Sequence, residues 1–119
     1  MTLLKNFMGY SKVPTALIIA QAQLESGNFS SNIFKENHNL FGMKLPSRRP
    51  TMAIGENRGF AVYPSWMDSV VDYFLRQQAF GISNTEYVQE YMAQTVSSGY
   101  VHGDPGYRDK WYRLYEKAS

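Results

Sequence analysis

Apolar residues recur at helical spacing over most of this chain. Leu3, Leu4, Phe7 and Met8 fall at i, i+1, i+4 and i+5 and predict a short amphipathic helix ending near Gly9. The segment VPTALIIAQAQLESG follows. Pro14 suits a first helical turn, where its missing N–H is harmless, and Gly27 suits a helix exit. Between them Ala16, Leu17, Ile18, Ile19, Ala20, Ala22 and Leu24 cover every side of the predicted helix. A helix apolar all round belongs inside a core.

Residues 44–64 break that period. KLPSRRPTMAIGENRGFAVYP carries prolines and glycines, and its runs TMAI and FAVY flank GENRG, which predicts a β-hairpin with a long tip. Helical spacing then returns. Ser65 with Asp68 resembles a capping box ahead of a stripe of Trp66, Met67, Val70, Val71 and Phe74. Asn84 is expected to cap TEYVQEYMAQTV, which Gly99 ends. Asp104 is expected to cap the last helix, with Pro105 in its first turn and Tyr107, Trp111, Leu114 and Tyr115 facing inward. The pattern predicts one domain over 1–119, α+β and mainly α, with five helices and a small β lobe at about 44–64.

Composition narrows the class. A chain of 119 residues with 44% apolar and 18% charged residues is large enough for one core and has no signature of disorder. The net charge is +2, and Lys44, Arg48, Arg49 and Arg58 are spread over a loop-like stretch, so no basic stripe points to nucleic acid. There is no cysteine, and His38 and His102 lack the spacing of a metal site, so no metal or cofactor is expected. The N-terminus lacks an apolar run of signal-peptide length, and no stretch reaches membrane-span length. Aromatic residues reach 15%, nine of them tyrosine, and flat amphipathic rings suit contact with sugar faces.

Glu25 is the chemical anomaly. It ends the most apolar segment, and Ile18, Ala22 and Glu25 lie at i, i+4 and i+7 on one line of the helix. Partial burial and the negative end of the helix dipole both disfavour its charge, keeping a proton on it near neutral pH. That is the condition required of a general acid. A helix-end glutamate turned to solvent or tied to a backbone N–H satisfies the same spacing.

The motifs AQAQLESG at 20–27 and NLFGMK at 39–44 resemble, in order, those that open the glucosaminidase domains of glycoside hydrolase family 73. FAVYPSWMDSVVDY at 60–73 and SGYVHGDPGYRDK at 98–110 are similar to the family's later segments, so the resemblance runs from about residue 12 to the end. It implies a lysozyme-like fold in which helices and a small β lobe frame a cleft. It also implies cleavage of the β-1,4 bond after N-acetylglucosamine in peptidoglycan, with Glu25 as general acid.

Glycosidases commonly pair two carboxylates, about 5–5.5 Å apart for retention or about 6.5–9.5 Å for inversion. The resemblance places the second in the β lobe, and Glu56, in IGENRGF, is the candidate; a polar hairpin tip is its other reading. Glu36 is expected at a loop surface. Tyr100 matches a cleft tyrosine of the family and Phe29 a sugar-facing aromatic; Asn39, Phe41 and Tyr63 complete the expected substrate contacts. Two further readings stay open: lytic transglycosylase-like cleavage, and a non-catalytic peptidoglycan-binding or assembly module. The expected partner is the peptidoglycan glycan strand, met at the bacterial cell wall (periplasmic, extracellular or virion-associated) by a chain belonging to a larger protein or assembly.

Overall fold

The computed structural model describes residues 1–101 and 103–118. Among them six helices and one two-stranded sheet follow in order: α1 Thr2–Phe7, α2 Thr15–Glu25, α3 Asn32–Asn37, β1 Gly55–Asn57, β2 Phe60–Val62, α4 Trp66–Ala79, α5 Val88–Ser97 and α6 Tyr107–Ala118. The mainly helical fold with a small β lobe agrees with the sequence pattern.

Helix α2 runs through the middle. Leu17, Ile18 and Ala20 have no exposed surface, and Pro14 stands immediately ahead of the first turn. The helix lies against α6, and the Trp111 indole N–H donates to the Leu17 carbonyl at 2.8 Å. Aromatic rings fill the space around it. Phe41 stacks on Tyr73 with centroids 4.2 Å apart, and Tyr73 meets Phe74 edge-on at 5.0 Å. Such contacts add about 0.5–1.5 kcal/mol each beyond the area they bury.

A buried polar chain crosses this aromatic core. The Tyr73 hydroxyl donates to Gln21 Oε1 and shares a 2.7 Å contact with the Tyr91 hydroxyl. Gln77 Nε2 donates to the Tyr91 hydroxyl and to Thr95 Oγ1, both at 2.9 Å. Every member has a partner, which is the condition for polar groups to persist inside a core.

Several expected details differ. Of the four residues in the predicted stripe, Leu4 and Met8 pack on the core, while Leu3 and Phe7 are 85% and 86% exposed. Lys5 is buried instead, its ammonium donating to the Tyr10 carbonyl at 3.0 Å and to Asn6 Oδ1 at 2.9 Å. In α4 the inner stripe is Val70, Tyr73, Phe74 and Gln77; Trp66 and Met67 are about half exposed. The Ser65 cap is present, its hydroxyl accepting from the Asp68 N–H. Asn84 caps nothing: its side-chain oxygen accepts from the Lys12 N–H at 2.9 Å, and α5 begins only at Val88. The added helix α3 starts at Ser31, whose hydroxyl accepts from the Phe34 N–H.

The β lobe is tighter than the pattern predicts. Gly55 pairs with Val62, Glu56 with Ala61 and Asn57 with Phe60, leaving Arg58 and Gly59 as a two-residue turn. Both take left-handed backbone angles, φ 56° and 80°, which matches the twist of the flanking strands. The lobe is tied down from outside. Asn37 Nδ2 donates to the Asn57 carbonyl at 3.1 Å, and the Met43 carbonyl accepts from the Ala61 N–H at 2.9 Å. The preceding strap is held by Asp72, which accepts two bonds from Arg49 at 2.9 and 3.1 Å, one from the Met52 N–H at 3.0 Å and one from the Tyr63 hydroxyl.

Candidate active site

A cleft of about 770 Å³ opens between α2, the loop after Asn39, the end of α4 and the segment leading into α6. Glu25 lies on its wall with Gly42, Met43, Tyr100, Asp104 and Tyr107. Lys44, Arg49, Phe60, Arg76 and Phe80 line the remainder.

Glu25 is the last residue of α2 and is half-buried. The chain then reverses through Gly27, Asn28 and Phe29, all left-handed at φ 58°, 58° and 63°. Ser26 supports the reversal, its hydroxyl accepting from the Phe29 N–H at 2.8 Å. Two non-glycine residues in that region carry strain, which a well-packed surrounding must hold in place. The reversal carries the backbone away from the helix end and leaves the Glu25 side chain facing the cleft.

Burial raises the Glu25 pKa above the ordinary carboxylate value, and the negative charge of Asp104 adds to the rise. A hydrogen bond from the Tyr107 hydroxyl favours the ionised form and works against both, without overcoming them. Gln21 Nε2 donates to that same hydroxyl at 3.2 Å, so the buried polar chain of the core ends on the acid. Tyr107 is the residue that sequence reading assigns only to packing. A buried tyrosine hydroxyl usually finds hydrogen-bond partners, and here both Gln21 and Glu25 are within reach.

The loop bearing NLFG is built to meet the acid. Asn39, 1% exposed, donates from Nδ2 to the Met43 carbonyl at 2.9 Å and accepts from the Met43 N–H at 3.1 Å, closing the loop on itself. Its second Nδ2 bond, to the Ala61 carbonyl at 3.0 Å, ties the loop to β2. The Tyr100 hydroxyl donates to the Phe41 carbonyl at 2.9 Å. Held so, Gly42 sits at φ 62° with its backbone against the Glu25 carboxyl group.

Of the expected substrate contacts, three lie inside the protein. Asn39 is spent on backbone partners, Phe41 is fully buried under Tyr73, and Tyr63 is 1% exposed with its hydroxyl on Asp72. Burial makes them supports of the cleft, not surfaces for a sugar. Tyr100 does line the cleft. Phe29 is 36% exposed and packs edge-on against Phe34 at 5.7 Å, away from the cleft-lining set.

Glu56 is exposed on β1 and does not line the cleft. Its register partner is Ala61, whereas the cleft residue Phe60 pairs with Asn57, so alternation puts Glu56 and Phe60 on opposite faces of the hairpin. Asp104 is the carboxylate beside Glu25. It does not cap α6, which starts three residues later at Tyr107; its Oδ1 accepts from the Gly106 N–H at 3.0 Å and its Oδ2 meets Lys110 Nζ at 3.4 Å. Glu36 lies at the surface as expected, paired with Arg58 at 2.7 Å. His38 turns Nδ1 to the Tyr63 carbonyl at 3.0 Å, and His102 lies outside the described residues.

Glu25 is thus a half-buried carboxyl group with a raised pKa, at the end of a core helix, on the wall of an open groove and beside a tyrosine hydroxyl. The family description Glucosaminidase (mannosyl-glycoprotein endo-β-N-acetylglucosaminidase) matches residues 2–119. The chain belongs to the glucosaminidase family.

Two solved structures and one curated protein show how far the likeness reaches. The glycoside hydrolase domain of FlgJ from Salmonella typhimurium is 27% identical with a TM-score of 0.63, over 98% of this chain and 82% of that one. A peptidoglycan hydrolase from Sphingomonas sp. A1 shares the fold with a TM-score of 0.70 at 24% identity, over 95% of this chain and 79% of that one. Protein bax of Escherichia coli K12 is 38% identical over 61 residues, 51% of this chain but 22% of its own length. The glucosaminidase domain thus corresponds to a minor part of that protein. Among the described residues no helix is long and apolar enough to cross a membrane.

Proposed function

We propose that this glucosaminidase domain hydrolyses the glycan strands of peptidoglycan at the β-1,4 bond after N-acetylglucosamine, with Glu25 as the general acid. One observation carries the reading: Glu25 keeps a raised pKa while standing on the wall of an open cleft large enough for sugar rings. A neutral carboxyl group there can pass its proton to the glycosidic oxygen as the bond to the anomeric carbon breaks. The Tyr107 hydroxyl and the Asp104 charge then act in opposite senses on the carboxylate left behind, the first stabilising it and the second favouring its return to the acid form.

Glu56 is proposed as the group that deprotonates the attacking water. Its outward place on β1 requires the hairpin to close over bound glycan, and loop closure of this kind is a common step in enzymes. The same outward place is the observation that favours a second reading. With Glu25 on the cleft wall and Glu56 outside it, the substrate's own hydroxyl or acetamido group would complete the reaction, as in lytic cleavage or substrate-assisted hydrolysis.

The domain acts, on this proposal, at the bacterial cell wall and within a larger protein or assembly. The likeness to the FlgJ glycoside hydrolase domain supports cleavage of a glycosidic bond, and the shared fold of the Sphingomonas peptidoglycan hydrolase is consistent with a peptidoglycan substrate. The test is incubation with purified bacterial cell walls. Release of reducing N-acetylglucosamine ends heavier by one water supports hydrolysis, anhydro-muramoyl ends support lytic cleavage, and wall binding without any release supports the non-catalytic module.

A further inference from the structure

Arg76 is a buried cation in the cleft wall without a carboxylate partner. It projects from α4, is 7% exposed and lines the same cleft as Glu25. Its guanidinium carbon lies 4.2 Å from the Phe80 ring centroid and 4.8 Å from that of Tyr100. One N–H donates to Gln77 Oε1 at 2.8 Å, and a long contact of 3.5 Å reaches the Ser98 carbonyl. Its other N–H groups have no acceptor among the described residues.

The guanidinium is thus largely buried with no carboxylate to pair with it, although none of its nitrogens is both fully buried and unpartnered. Arginine stays protonated in proteins, so desolvation cannot be relieved by losing the proton. Ring faces offset part of the loss, but they do not supply the paired oxygens that a guanidinium fork fits. Burial is the main influence against the cation on Arg76; Tyr100 and Tyr73 favour it, and the like charge of Arg49 opposes it. Arg49 itself is matched, since it forms its two bonds with Asp72. Lys44, exposed on the cleft rim, has no ion pair either; among the described residues those pairs are Arg49–Asp72, Arg58–Glu36 and Lys110–Asp104.

We infer that Arg76, with Lys44 at the rim, forms a carboxylate-binding subsite of the cleft that holds the acidic groups of the glycan strand. The inference rests on the proposed peptidoglycan substrate and deepens it. N-Acetylmuramic acid bears a lactyl carboxyl group, either free or joined to a stem peptide that carries carboxylates of its own. Both sources present the same planar anion. Packed against the Phe80 and Tyr100 rings, the guanidinium is restrained, so little side-chain freedom is lost when the anion docks. Because Tyr100 also anchors the Phe41 carbonyl, the subsite and the Gly42 loop share one side chain.

The test measures Kd by calorimetry with the Glu25→Gln protein, so that strands bind without being cut. Three ligands are compared: strands with stem peptides, strands stripped of peptide with free lactyl carboxylates, and the stripped strands with every carboxylate converted to a neutral amide. Carboxylate-bearing strands should bind about tenfold tighter than the neutral ones, a gap that narrows as ionic strength rises. Preference for stripped strands assigns the lactyl group, and preference confined to peptide-bearing strands assigns the stem. Arg76→Gln should erase the preference and Lys44→Gln should reduce it two- to threefold. Equal Kd for charged and neutral strands overturns the subsite, as does a folded Arg76→Gln protein that keeps the preference. Should Arg76→Gln fail to fold, the ligand comparison and the Lys44→Gln measurement decide alone. Reducing-end release by the unaltered protein is read separately: its absence would remove hydrolysis while leaving the Kd comparison to judge the subsite.

Discussion

A β-carbon placed on Gly42 would stand 2.7 Å from Oε2 of Glu25. Two constraints meet at that residue, since its backbone also holds φ 62°, a region L side chains rarely adopt. Gly42→Ala must displace either the loop or the acid. Left-handed backbone at a non-glycine residue costs about 1–2 kcal/mol, and a misplacement of about 1 Å at a reacting group costs about 10²-fold in rate. The expected variant melts a few degrees lower and loses about a hundredfold in kcat, read by calorimetry and by reducing-end release. Unchanged kcat would show that the Gly42 contact does not set the position of the acid.

Glu25→Gln removes the transferable proton and keeps the shape. A general acid contributes about 10²–10⁴-fold, so release from cell walls should fall by that factor. Stability should move the other way. The folded pKa of Glu25 is raised by burial, so the folded state favours the protonated form. The stability this group contributes is present below its unfolded pKa and is lost as pH rises through the raised folded value. At neutral pH and above, the neutral glutamine should therefore match or exceed the parent in Tm. A Tm well below the parent across that range would contradict a protonated, partly buried acid.

Tyr107 and Asp104 should tune the same limb of the pH profile in opposite directions. Activity needs the protonated acid, so the rate declines as pH rises through the Glu25 pKa. Tyr107→Phe deletes a hydrogen bond that favours the charged form, and the decline should shift to higher pH. Asp104→Asn deletes a neighbouring negative charge, and the decline should shift to lower pH. The checking measurement is kcat against pH for both variants. Shifts of the same sign, or none, would remove Glu25 as the titrating acid.

Glu56→Gln separates the two-carboxylate route from the alternatives. If the hairpin delivers Glu56 to the attacking water, kcat falls about 10²–10³-fold with KM little altered, as expected of a group acting in the transition state. Retention of activity within about threefold would assign the step to the substrate itself, and the mass of the product would say which substrate group acts.

The strap that carries Arg49 should fail in acid before the core does. Burial opposes the charge on Asp72, but bonds from Arg49, Tyr63 and the Met52 N–H outweigh it and hold its pKa below the ordinary carboxylate value. The stability it contributes is present above the unfolded pKa and is lost as pH falls through the depressed folded one. Arg49→Met leaves a buried carboxylate without its cation, which costs about 3–5 kcal/mol. Denaturant titration of the variant at neutral pH, and of the parent between pH 6 and about 2, measures both effects.

Five of the six helices, and the place of Glu25 at the end of α2, were legible along the chain because both depend on local order. Leu17, Ile18 and Ala20 declare a core helix by being apolar at every angle, and Glu25 stands out as the charge that interrupts them. The motif around NLFG is equally local. Where burial is decided by packing between distant segments, reading along the chain fails. Leu3 and Phe7 fit the helical period as well as Leu4 and Met8 do, and only the neighbours of α1 determine which pair turns inward.

The same division runs through the cleft. Tyr63 and Phe41 have the rings a sugar would stack on, yet the packing of α4, through Asp72 and Tyr73, draws them into the core. Tyr107 lies 82 positions beyond Glu25, and only the packing of α6 on α2 brings its hydroxyl to the carboxyl group. Periodicity and spacing specify which residues share a helix face, and so they name the element that carries the acid. The surroundings that tune that acid come from two separate segments, the loop that puts Gly42 against it and the stretch into α6 that brings Asp104 and Tyr107 near it. Desolvation and Coulomb interactions act through space, and the tertiary fold alone sets those distances.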